Sequence, residues 1–92
     1  MIVSFKGRRT ERFFAGEDVR KFRGVARQAE RRLIILDSVE SLLDLRGLRS
    51  NRFEALSGDR AGQYGIRINR QWRICFRWSD KNAEDVEIVN YH

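Results

Sequence analysis

Three runs in the last third of the chain alternate apolar and polar residues one for one. Tyr64, Ile66 and Ile68 alternate with Gln63, Gly65 and Arg67; Trp72, Ile74, Phe76 and Trp78 with Arg73, Cys75 and Arg77; Val86 and Ile88 with Glu87, Val89 and Tyr91. A period of two is what a strand with one buried face requires. The first two thirds keep a different rhythm. Val19, Phe22, Ala26, Ala29, Leu33 and Leu36 fall three and four apart, one stripe along a helix that begins near Glu17. Gly24 weakens its middle and marks a candidate break. Ahead of it, Ile2, Val3 and Phe5 predict a short strand. Thr10 predicts the cap of a short helix anchored by Phe13 and Phe14 and ended by Gly16. Behind it, Asp37-Ser38 predicts the start of a further turn or helix through Leu45, and Gly47 to Asn51 a loop. Ser57 to Gly62, with Gly at 58 and 62, predicts an exposed, shaped loop.

Parity sets the register. If Ile66, Ile68, Trp72 and Ile74 share the core face, an odd loop must join their strands. Asn69-Arg70-Gln71 supplies one and places Arg67 opposite Arg73. For the next hairpin, a longer turn around Asp80-Lys81-Asn82 predicts Trp78 opposite Val86, Arg77 opposite Glu87 and Arg73 opposite Tyr91. A slip of two residues would keep the faces and change only these partners. Arg67, Arg73, Arg77 and Tyr91 thus load the face that the core leaves open. Like charges directly opposite lower the stability of a sheet, and a bound phosphate offsets that cost. Trp72 and Trp78 share the parity of Ile74 and Phe76, which assigns them to the core.

Composition narrows the partner. Ninety-two residues are read as one domain, 1–92, with a modest core. The net charge is +6, and all but three of the nineteen cations are Arg. Arg grips phosphate with a planar fork and stacks on bases, a bias that suits nucleic acid better than a membrane surface. Arg27, Arg31 and Arg32 are read as a solvated helix face, with contact to RNA or an acidic partner as the alternative, and Arg8, Arg9 and Arg12 as contacts for RNA or for an acidic protein. A single Cys excludes an internal disulfide framework, and no His/Asp/Glu spacing supports a metal. No cofactor is expected. No membrane span or signal peptide is seen, so the cytoplasm is the expected location. The loop 57–62 lacks the order of a nucleotide-binding P-loop.

The stretch from Arg52-Phe53-Glu54-Ala55-Leu56 through Gly58-Asp59-Arg60-Ala61-Gly62-Gln63 to Asn69-Arg70-Gln71-Trp72-Arg73 resembles the HigB toxins of the RelE/ParE superfamily. So do the ending Val86 to His92, the opening Met1 to Phe5 and the helical Ala29 to Leu33. The resemblance implies an α+β fold, with N-terminal helices on one face of a small, mostly antiparallel sheet. It implies a ribosome-dependent, metal-independent endoribonuclease that cuts mRNA during translation. It implies a helix-turn-helix antitoxin (HigA-like) as partner, with a monomeric free toxin and a complex of two toxins and two antitoxins. Arg67, Arg73, Tyr91 and His92 match the family pattern. Glu54 stands where well-studied members carry His, Ser57 where they carry Lys, and Asn90 where they carry Asp.

RNA cleavage needs a base for the 2′-hydroxyl, neutralisation of the pentacoordinate intermediate, and an acid for the leaving 5′-oxygen. Arg67 and Arg73 are the candidates for neutralisation. Tyr91 is a candidate to stack on a base or orient the hydroxyl. His92, the lone His, is a candidate acid or base, and Glu54 a candidate base. Arg77, Arg60, Ser57 and Asn90 complete the candidate RNA-binding set. Two rivals stand beside the nuclease: a toxin of the same fold acting on DNA gyrase, and a weakly catalytic module that binds ribosome or antitoxin.

Overall fold

The computed structural model describes residues 1–91; the candidate acid–base residue His92 lies outside them. Three α-helices precede the sheet: α1 (Arg8–Phe14), α2 (Ala26–Ser38) and α3 (Leu42–Arg46). Four strands follow, β1 (Glu54–Ala55), β2 (Tyr64–Arg67), β3 (Trp72–Ser79) and β4 (Asn82–Asn90), in spatial order β1-β2-β3-β4. Every pairing is antiparallel. The helices pack on one face, where Phe22, Leu33, Leu36 and Leu45 meet Ile66, Ile74, Phe76 and Val86 in one buried cluster. This is the expected α+β arrangement.

Gly24 does break the long helix. Residues Arg20–Val25 form a 3-10 helix, and α2 begins at Ala26. A 3-10 helix has three residues per turn, so the inward stripe becomes Val19, Phe22 and Val25. Val25 is buried at the point where the sequence pattern predicts Ala26. The α-helical spacing resumes with Ala29, Leu33 and Leu36, all fully buried.

Three local expectations need correction. Thr10 is not a cap: Gly7 holds that position at φ 90°, and Thr10 lies within α1. It is buried because its hydroxyl oxygen accepts the Ile88 N–H at 3.0 Å, satisfying a donor on the outer edge of β4. Asp37 and Ser38 end α2 rather than start a new turn. The Asp37 carboxylate accepts the Ile2 N–H at 2.8 Å, while Ser41 caps α3 by accepting the Asp44 N–H at 3.3 Å. The expected first strand consists of isolated parallel bridges, Ile2 with Ala83 and Phe5 with Val86, along the same edge of β4.

Hairpin geometry places the face. Arg67 pairs with Arg73 across the predicted three-residue loop. The Asn69 side-chain oxygen closes that loop by accepting the N–H groups of Gln71 and Trp72, both at 2.8 Å. The β3–β4 turn is tighter than expected. Ser79 pairs with Asn82, leaving Asp80 and Lys81 at the tip, with Asp80 at φ 58°. Trp78 therefore faces Ala83, Arg77 faces Glu84 and Arg73 faces Val89. This is the slip of two along the C-terminal half, combined with a bulge where Asp85 turns to φ 51°. The bulge inserts one residue into β4 and switches its parity, so Ala83 and Val86 both point inward and Tyr91 stays on the open face.

Candidate functional site

On the face away from the helices, the sheet presents two adjacent rows. One row is Arg67–Arg73–Val89; the next is Glu54–Gly65–Cys75–Glu87. The Arg67 Nε–H donates to the Asn69 carbonyl at 3.1 Å, which fixes one edge of its guanidinium and leaves the terminal nitrogens for other partners. Arg73 is held twice. Its Nη1 donates to a Glu54 carboxylate oxygen, and its guanidinium carbon stands 4.6 Å from the centre of the Tyr91 ring. Tyr91 is placed by its own backbone, whose N–H donates to the Gln71 carbonyl. A cation over a phenol face is attracted by the ring quadrupole.

Sequence reasoning thus finds Arg67, Arg73, Tyr91 and Glu54, and the structure brings these four together. Glu54 arrives by a route the alternation did not show. The two-residue β1 pairs Glu54 with Gly65, so its side chain projects beside Arg73. Gly65 suits the position, since a Cβ would come 3.3 Å from a Leu56 methyl, which would have to give by a few tenths of an ångström.

The other candidates stand apart. Arg77 is four residues along β3 from Arg73, roughly 13 Å away. It faces Asp85 at 3.7 Å and passes close over Gly62, where a Cβ would meet its Nη1 at 3.0 Å. Arg60 donates to Gln63 at 3.1 Å and approaches the Glu87 carboxylate at 3.5 Å, tying the 57–62 loop to β4. Ser57 is exposed and precedes a short 3-10 turn, Gly58–Arg60. Asn90 pairs with Trp72 and carries the opposite parity from Val89 and Tyr91.

Two positions, Glu87 and Arg32, escaped the sequence reading. Glu87 pairs with Cys75 and draws in Arg60. Cys75 belongs by parity to the open face yet is fully buried, and that burial pushes its thiol pKa up. Its place within an apolar strand reads as that of a small core-edge residue, which its burial bears out. Arg32, expected to be solvated, reaches from α2 to donate to the Arg67 and Ser50 carbonyls, both at 3.2 Å. Grooves lined by Arg27, Glu30 and Ile34 and by Arg46, Arg52 and Phe53 lie outside the Arg67–Arg73–Tyr91 cluster. No helix of the described residues is long and apolar enough to cross a membrane.

A guanidinium pair abreast on an antiparallel sheet, with a helical layer from the N-terminal half on the other face, is the arrangement that the resemblance to RelE-like toxins implies. The comparisons agree. A family model described as "RelE-like toxin of type II toxin-antitoxin system HigB" matches residues 3–92. The chain is 38% identical over 84 residues to Toxin HigB-1 of Vibrio cholerae serotype O1 (strain ATCC 39315 / El Tor Inaba N16961), covering 87% of this chain and 86% of that protein. Two solved structures from Staphylococcus aureus share the fold. The YoeB-YefM complex matches with TM-score 0.62 at 17% identity, and the heterotetrameric YoeB-YefM toxin-antitoxin complex with 0.61 at 18%. Each covers 100% of this chain and 98% of the other. The chain belongs to the HigB-like toxins of type II toxin–antitoxin systems, and an antitoxin is its partner.

Proposed function

We propose that this toxin is an endoribonuclease that cuts mRNA on the translating ribosome. The observation that carries the proposal is the convergence of Arg67 and Arg73 with Tyr91 on the face the helices leave bare. Two guanidiniums abreast match the spread of charge on a pentacoordinate phosphate, where fixed cations favour the transition state over the ground state. Tyr91 supplies a flat surface for a base, stacked already on the cation that would hold the adjoining phosphate. Glu54, a carboxylate at the margin of the pair, is placed to take the 2′-hydroxyl proton. His92, following Tyr91 directly, is assigned the return of a proton to the 5′-oxygen. Arg60 ties down the 57–62 loop, and Arg60 and Arg77 steer RNA by charge, with Ser57 and Asn90 as outlying polar contacts.

RNA reaches the site while Glu54 occupies Arg73, so the scissile phosphate must compete with a carboxylate that already sits there. That contact explains how an exposed basic pair is kept without a bound anion. The partner antitoxin is assigned to the helix-turn-helix type, in a complex of two toxins and two antitoxins. The chain is taken as a single toxin domain acting in the cytoplasm.

The test is to induce the toxin and map new 5′ ends on translated and untranslated transcripts, beside Arg73→Ala and Tyr91→Phe. New ends confined to translated transcripts and absent with Arg73→Ala support the proposal. Double-strand DNA breaks would instead indicate gyrase poisoning. Growth arrest with neither would indicate a module that binds without cutting.

A further inference from the structure

Ile34 is 54% exposed in the middle of α2. It lies roughly 140° around the helix from Ala29, which is wholly buried. A branched apolar residue on that side adds nothing to the core. It forms the rim shared by two adjoining hollows. The first is floored by Phe13, Phe14 and Leu33; the second is edged by Arg27 and Arg31; Glu30 borders both. Together they make a groove that runs from the end of α1 along the outer side of α2, apolar at one end and basic at the other. Among the described residues, neither Arg27 nor Arg31 is in an ion pair, whereas five other Arg residues are.

We propose that this groove holds an acidic amphipathic segment of the antitoxin. Its apolar side chain enters between Phe13, Phe14 and Ile34, removing the exposed Ile34 from water. Its carboxylates face Arg27 and Arg31, and charge complementarity of that kind speeds encounter and fixes register. Glu30 asks for a single donor opposite the centre. RNA fits poorly, because it would set phosphates against Glu30 and cover Ile34 with nothing apolar. A second copy of this chain would bring two bodies of net charge +6 together. The groove belongs to the helical layer, on the other side of the sheet from Arg67, Arg73 and Tyr91. An antitoxin seated there leaves the cluster open unless another of its segments reaches around. This inference rests on membership of the toxin–antitoxin family and not on RNA cleavage.

The test uses isothermal titration of the purified toxin with its cognate antitoxin, in an Arg73→Ala background so that cells tolerate the protein. Ile34→Asp and Arg31→Glu are each expected to weaken binding at least tenfold. Leu43→Asp, at a still more exposed apolar residue on α3, is expected to stay within twofold. Circular dichroism melts check folding. If Ile34→Asp melts early, the double variant Arg27→Glu, Arg31→Glu carries the test, with the added expectation that its defect shrinks in high salt. Binding within twofold for both variants overturns the proposal. So does a change in self-association or ribosome sedimentation by Ile34→Asp with antitoxin affinity intact. With Arg73 restored, Ile34→Asp leaves any mRNA cleavage unchanged. A wild-type toxin that never cleaves, yet loses antitoxin through Ile34→Asp, ends the nuclease reading alone.

Discussion

Glu54→Gln separates two roles of one carboxylate. Glu54 accepts a hydrogen bond from Arg73, whose side chain is 22% exposed against 46% for Glu54. As an occupant of the phosphate site, Glu54 opposes RNA. Removing a unit charge about 4 Å from a phosphate is worth about 1 kcal/mol in water-like surroundings, and somewhat more where the Arg is half-covered. RNA affinity should therefore rise roughly fivefold to tenfold. As a base, Glu54 is needed for proton transfer, and its loss should lower kcat by about 10²–10⁴. The variant is expected to bind more tightly and cut more slowly. The assay is single-turnover cleavage on programmed ribosomes, with binding measured on an mRNA carrying a 2′-deoxy substitution at the cut. The carboxylate side of the pair is nearly half exposed, which screens the interaction, so its loss should cost only about 0.2–1 kcal/mol, a few degrees in Tm. Weaker binding with unchanged kcat would refute both roles and leave Glu54 as a clasp on Arg73. A large drop in Tm would show that β1 depends on it.

Arg67→Ala and Arg73→Ala should each lower kcat by about 10²–10³ while the thermal midpoint moves little, since each also relieves a like-charge pair; a midpoint drop comparable to a core truncation would mark these residues as structural. Tyr91→Phe should retain most activity if stacking over Arg73 is what matters, and Tyr91→Ala should not; equal losses in both would assign the work to the hydroxyl. Thr10→Val leaves the Ile88 N–H buried without a partner and should cost about 1–3 kcal/mol, read in a urea melt; an unchanged midpoint would mean that water reaches the edge of β4. Because burial raises the Cys75 thiol above its ordinary 9.0, the thiol should resist Ellman's reagent in the folded protein and react once urea unfolds it. The same shift means the unfolded thiol ionises first, so this contribution to stability holds below about pH 9 and falls as pH rises beyond it. Fast labelling of the native protein would contradict that burial.

Alternation from Gln63 onward carried the site into view, because strand parity is rigid: once Ile66 and Ile74 go inward, Arg67 and Arg73 must meet. The β3–β4 register was less legible. Turn length depends on Asp80 adopting a left-handed backbone, and the parity of β4 on a bulge at Asp85, and neither residue type announces these. The slip preserved the face, which is why Tyr91 still reaches Arg73, now from beyond the end of β4 rather than from directly opposite. Helix details failed for a related reason. Thr10 has the chemistry of a cap, but a buried hydroxyl can serve a distant N–H equally well, and only the tertiary structure shows that Ile88 needs one. Glu54 came into view through family likeness. A strand of two residues has no period to detect, so the pairing with Gly65 that delivers the carboxylate lies beneath the resolution of any pattern.

Because β1 begins only at Glu54, the rim of β2 beyond Gly65 would otherwise stand ready to template another extended chain. Arg32 reaches across from α2 and occupies the Arg67 carbonyl at that rim. An incoming peptide finds the acceptor already taken and a cation in its path, which discourages edge-to-edge polymerisation. The same plug couples the helical layer to the backbone of the residue proposed to grip phosphate, so whatever clamps α2 from outside has a mechanical hold, through one guanidinium, on Arg67.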